Sequence, residues 1–157
     1  MADVIIDGKV AVVFAPSVAD ISAPTTAEIN AGVVLHDFLT MDGFSIDFSV
    51  ADIDTTALSS TFNTLLPGRL ELTTEATFKD QGRDQAPWTT FADNVEGYLV
   101  VRRNVVATDP FTAFDSVEVY PVQAGVRQPI APAANEVSKF GITFHHTTAP
   151  NIDAVVI

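Results

Sequence analysis

Phe44-Ser45-Ile46-Asp47-Phe48-Ser49-Val50 spells out a β-strand in its own periodicity. Apolar side chains fall at every second residue with polar ones between them, so one face of the extended chain is buried and the other wet. Leu70 and Leu72 alternate with Glu71 and Thr73 in the same way, and Ala76 and Phe78 resume the pattern after a slip at Thr73-Thr74 that reads as a bulge or a bend. Val117, Val119 and Val122 flank Glu118 and Tyr120, until Pro121 predicts an edge or a bend. Phe140, Ile142 and Phe144 alternate with Gly141, Thr143 and His145, and residues 9–15 and 98–103 are shorter β-branched runs. Roughly six strands in one chain predict a mainly β fold, a β-sandwich or a partly closed barrel.

Three short segments carry a helical signal. Asp54 is placed to cap a stretch in which Leu58, Phe62, Leu65 and Leu66 fall on one helical face, with Pro67-Gly68 as the stop. This predicts one helix flanking the sheets. A second candidate follows Pro87, with Trp88, Phe91 and Val95 on one side and Gly97 as its C-terminal cap. Thr25-Thr26-Ala27-Glu28 has the capping-box pattern for a single turn.

A chain of 157 residues suits one domain, 1–157, with a core of its own. Hydrophobic residues are 47% and charged residues 18%, an apolar balance that predicts surface covered by partners. Residues 123–138 are too long and too apolar for a hairpin tip, and the chain closes on Ala154-Val155-Val156-Ile157. These read as an extended loop and terminal arms: an N-terminal segment around 16–40 and a C-terminal arm around 145–157. No basic leader precedes an apolar segment, no apolar run approaches membrane-spanning length, and there is no cysteine, so folding in a cytoplasm without disulfides is expected. Twenty acidic residues against eight basic ones give a net charge of −12. Phosphate contacts need lysine and arginine, so this surface would let a duplex pass without holding it.

Catalytic patterns are missing. Gly43-Phe44-Ser45-Ile46-Asp47 lacks the second glycine of a nucleophile elbow, and Asp52-Ile53-Asp54 lacks the glycine and terminal glutamate of a calcium loop. His145 and His146, adjacent in a strand, point to opposite faces and cannot share a metal. No enzyme activity and no cofactor are expected. Arg102-Arg103 closes a strand and Arg127 stands alone in a turn; in so acidic a chain such arginines find carboxylates, within the molecule or across a subunit contact.

Taken in order, several segments resemble the major tail (tail tube) proteins of siphophages that infect actinobacteria. They are Pro24-Thr25-Thr26-Ala27-Glu28-Ile29-Asn30-Ala31, Phe91-Ala92-Asp93-Asn94-Val95-Glu96-Gly97-Tyr98, Val117-Glu118-Val119-Tyr120-Pro121 and Asn135-Glu136-Val137-Ser138-Lys139-Phe140. The resemblance implies a virion structural subunit, assembled in the host cytoplasm into hexameric rings that stack as a tube and conduct genome DNA. It implies self-association, with the tape measure, tail terminator and baseplate or tail-tip proteins as further partners, and no membrane. It also implies an acidic bore, for which Asp47, Glu71, Glu75 and Glu118 are candidates because each projects opposite apolar neighbours. Arg102, Arg103, Arg127, Val155, Val156 and Ile157 are candidate inter-subunit contacts. The alternatives are another small virion protein (a tail terminator, head–tail joining or decoration protein) or a soluble ligand-binding β-sandwich.

Overall fold

The computed structural model describes residues 2–157. Strands β1 (Val10–Ala15), β2 (Val33–Val34), β3 (Leu39–Asp54), β4 (Leu65–Lys79), β5 (Glu96–Arg103), β6 (Ser116–Ala124), β7 (Gln128–Pro129), β8 (Lys139–His146) and β9 (Asn151–Val155) join two short helices, α1 (Thr26–Asn30) and α2 (Ala86–Thr90). All pairings are antiparallel, and the strands make one open sheet in the order β2-β1-β5-β6-β8-β4-β3. The fold is mainly β as expected, with the strands in a single curled sheet. Val10 and Val12 of β1 face Leu39, Phe44 and Ile46 of β3 across an open groove of about 900 Å³, so the sheet approaches a barrel without closing.

The sheet forks at β6. β5 lies along one side of it, while β9 pairs Ser116 to Val119 and β8 pairs Val122 to Ala124 on the other. Pro121 falls where β9 gives way to β8. A residue without an N–H is therefore tolerated in the middle of a central strand, where an edge or a bend was expected.

Both faces of β1, β5 and β6 are buried. On one face Val12, Phe14, Leu99, Val101, Tyr120 and Val122 continue across β8 and β4 through Phe144, Ile142, Phe140, Ala76 and Phe78. Phe91 sits at the centre of this core, edge-on to Phe14 at 4.9 Å and to Phe144 at 5.1 Å. Gly97 lies inside β5 and caps no helix; a Cβ there would run into the Phe14 ring. On the other face Ala11, Val13, Val100, Val117 and Val119 pack with Val18, Ile29, Phe111, Ala154 and Val156. The covering pieces are the segment holding α1, the 104–115 loop and β9. The capping box forms: Thr25 Oγ1 accepts from the Glu28 amide at 3.2 Å, and Glu28 Oε2 accepts from the Thr25 amide at 2.9 Å.

The C-terminal segment, expected as an arm, is held on its own chain. The Val156 amide donates to Asp115 and its carbonyl accepts from Phe114, while the Ile157 amide donates to Pro24. The expected slip at Thr73-Thr74 is no bulge either. Register runs unbroken from Leu70 to Ala76, and Thr74 is a buried threonine on the apolar face, its hydroxyl 2.6 Å from His146 Nε2.

The largest departure concerns residues 54–66. No helix forms there: β3 and β4 are one long hairpin whose loop spans 55–64. Thr55 and Thr64 close it, through the Thr55 amide to the Thr64 carbonyl at 2.9 Å and hydroxyl to hydroxyl at 3.0 Å. Pro67 is accommodated because β8 reaches β4 only over Thr74 to Lys79, so this part of β4 has β3 alone as neighbour.

Candidate assembly surface

Strand register determines which side chains share a face. On the uncovered side of the β3–β4–β8 region, Ser45 stands opposite Glu75, Asp47 opposite Thr73 and Ser49 opposite Glu71, with Thr143 opposite Glu75 across the next pair. Asp47, Glu71 and Glu75 are all exposed. Each glutamate is diagonal to Asp47, a spacing of about 7–8 Å, so the acids are gathered without being stacked directly against one another. Arg69, exposed and two residues before Glu71 on β4, borders this patch at one end; Lys79 and Lys139 face each other at the other end of the same strands, where Lys139 pairs with Glu136 at 3.0 Å.

Glu118 is not part of that group. It lies on the opposite face of the sheet, across from Val101, and pairs with Arg103 at 3.1 Å. Tyr120, on the same face, has its phenol pushed up to about 12 by burial first and by the Glu118 charge second. The alternation correctly set Glu118 against Val117 and Val119. The other face is a core as well, however, so turning away from one core brings Glu118 to the rim of the second.

Beyond the reach of β8, the hairpin is a two-stranded arm. Phe48, Val50, Ile53, Leu58, Phe62, Leu65, Leu66 and Leu70 are all exposed along it, Leu58 and Phe62 the most at 106% and 75%. A bare two-stranded ribbon is marginal in water, and contiguous exposed apolar surface on this scale marks a contact site. β3 is also the last strand of the sheet, with β4 as its only partner among the described residues, and a long free edge offers unpaired backbone groups to a further strand.

The expected contact residues divide. Arg102 is 1% exposed and already engaged: Nη1 donates to the Pro110 carbonyl and to Asp115 Oδ2, both at 3.0 Å, and Nη2 donates to the Val106 and Asp109 carbonyls at 3.0 and 2.7 Å. Its guanidinium carbon also sits 4.3 Å from the centroid of the Phe111 ring. Burial works against the Asp115 carboxylate, but the Thr112 amide and Arg102 hold its pKa below the usual range. Val156 is fully buried. These two are internal braces and have no surface to offer a neighbour. Arg103, Arg127, Val155 and Ile157 remain at least partly accessible.

A family model described as phage tail tube protein matches residues 1–157. The chain belongs to the phage tail tube protein family. No curated protein matches it. The family is a structural one, so this subunit is a component of the virion tail that self-assembles into a tube, and it is not an enzyme. That sets aside the ligand-binding sandwich. No helix among the described residues is long and apolar enough to cross a membrane.

Three of the four acids singled out from the sequence share one exposed face, Glu118 does not, and the hairpin arm was missed. The signal was present as apolar residues that no core position claimed, and it was absorbed into a helical stripe.

One titratable group in the subunit is poised. His146 Nε2 meets the Thr74 hydroxyl, Nδ1 is buried without a partner among the described residues, and its ring stands edge-on to Tyr120 at 5.9 Å. Its pKa is lowered, by burial first and by the neighbouring His145 second. Between the ordinary histidine value and this lower one the unfolded chain binds more protons than the folded one, so stability falls as pH drops through that window. Denaturant melts from pH 8 down to pH 5 should show that loss, and His146→Gln should flatten it; an unchanged slope in the variant would refute the assignment.

Proposed function

We propose that this subunit forms rings of six that stack into the tail tube of a siphophage of actinobacterial type, and that the Asp47, Glu71 and Glu75 face lines the bore through which genome DNA leaves. The observation that supports this best is one hairpin with two unlike surfaces. Its two strands carry a wet acidic face, and the ribbon extends into an exposed apolar arm. A monomer has no use for either. In a ring, the free edge of β3 pairs with a strand of the adjacent copy, so the acidic faces join into a continuous lining while the apolar arms are buried against neighbouring copies.

An acidic wall suits transport because its net charge repels phosphates, with Arg69 at its border outweighed by Asp47, Glu71 and Glu75, and a duplex that gains little from the wall is not retained by it. Arg103, Arg127, Val155 and Ile157 lie at contacts between copies, whereas Glu118 stays outside the bore. The tube would further meet the tape measure along its length, a terminator at its head-proximal end and the tail-tip or baseplate proteins at the other. The whole of 1–157 acts as a single tail-tube domain, and the tube assembles in the host cytoplasm.

The bore assignment is tested with Asp47→Lys and Glu75→Lys together in a virion. Both side chains are exposed, so tubes should still form, while genome release should slow because lysines now bind the passing phosphates. Release at the normal rate from particles shown to carry both lysines would remove this face from the bore.

A further inference from the structure

The chain has one tryptophan, and two guanidinium groups sit on it. The Arg83 guanidinium carbon lies 3.8 Å from the centroid of the Trp88 ring and that of Arg127 lies 4.4 Å from it. Arg127 Nη1 also donates to the Trp88 carbonyl at 2.7 Å, which fixes its guanidinium against the α2 turn. Trp88 in turn stands edge-on to the buried ring of Phe140, with centroids 5.0 Å apart. Two residues distant in sequence are thereby mounted on one rigid platform that is anchored in the core.

Their charges are unanswered. Arg102 and Arg103 each hold a carboxylate, but among the described residues neither Arg83 nor Arg127 forms an ion pair, and Arg83 donates no side-chain hydrogen bond. Asp84, adjacent and exposed, does not turn back to either. Two like charges held at a single ring repel each other, and the indole face relieves only part of that. A carboxylate reaching the outer edge of either guanidinium would answer its charge, because planar guanidiniums present paired N–H edges to carboxylate oxygens. In a chain with 20 acidic and 8 basic residues, a second copy is a ready source of such groups, and its field would favour approach at the cationic spot.

We infer that the Arg83–Trp88–Arg127 stack is a receptor for an exposed aspartate or glutamate of a second copy of this chain, acting in the self-association proposed above and resting on that reading. It adds a polar, orienting contact to the apolar one made by the hairpin arm.

Because Trp88 is the sole tryptophan, its fluorescence reports on the stack directly. Wild-type protein is taken from dilute to assembling concentrations while emission and light scattering are followed together. The emission is expected to change in step with assembly. Arg83→Gln with Arg127→Gln should raise the concentration needed for assembly by about tenfold or more with the monomer melting temperature kept. Arg83→Lys with Arg127→Lys, which keeps the charge and loses the paired edges, should fall between. Assembly of the glutamine variant at the wild-type concentration overturns the inference and leaves the tube reading standing. A wild-type protein that never self-associates removes that reading and this inference with it. Saturable quenching of the dilute monomer by inorganic phosphate, with assembly indifferent to the substitutions, would mark a small-anion site instead and also overturn the proposal.

Discussion

Leu58→Ser combined with Phe62→Ser is expected to abolish tube formation at concentrations where the unaltered protein assembles, while leaving the monomer as stable as before. Both side chains stand free at the tip of the β3–β4 hairpin and touch no core, so removing them takes nothing from the folded chain. In the proposed assembly they are buried against a neighbouring copy. Burying a leucine and a phenylalanine is worth enough for the concentration needed for assembly to rise by about a hundred- to ten-thousand-fold. Sedimentation across a concentration series measures the shift, and thermal melting of the dilute protein provides the control. Tubes forming at the original concentration would show that the arm lies outside the contacts.

The second large effect is internal. Arg102→Met keeps most of the side chain's volume and removes the guanidinium that ties the Val106, Asp109 and Pro110 carbonyls to Asp115. The change leaves a partly buried carboxylate and three carbonyls short of their donor. Breaking a buried, hydrogen-bonded ion pair in this way costs about 3–5 kcal/mol. For a chain of this length that lowers the melting temperature by roughly 6–20 °C. The 104–115 loop covers one face of β6 and holds Val156 in place, so the C-terminal strand should loosen with it and its amides lose protection from hydrogen exchange. A loss below about 1 kcal/mol would mean that the loop is held by its apolar contacts, Phe111 above all, and that the arginine is dispensable.

The strands were legible where one face is buried and the other wet. Phe140 to Phe144 has that character, and Phe44 to Ile46 approaches it; the alternation located both strands, although it runs on through Phe48 and Val50, which stay exposed. Reading became harder where burial is two-sided. In β6 both faces are cores, so the position of Glu118 opposite Val117 carried no information about which side meets water. Thr74 broke the apolar pattern because a hydroxyl bonded to His146 can occupy a buried position, something that no period in the sequence reveals.

Residues 54–66 misled for a deeper reason. Leu58, Phe62, Leu65 and Leu66 fit a helical stripe by spacing, but in the monomer they have nothing to bury against, and tertiary context made them a ribbon. Apolar residues left exposed on a ribbon carry the same signature in sequence as core residues. The C-terminal segment was the converse case. Its apolar end looked unsuited to water and was expected to seek a partner, yet it found one in its own sheet. Asp47, Glu71 and Glu75 could be singled out from the sequence because acids alternating with apolar residues must point away from the core. The platform of Trp88 with Arg83 and Arg127 could not, since only the fold brings its members together.

Electron microscopy of the purified protein, dilute and then concentrated, tests the central claim most directly. The account predicts hollow tubes or stacked rings of uniform bore, built from 16.8 kDa subunits. A protein that stays monomeric at every concentration, even when seeded with tail-tip complexes, would contradict it.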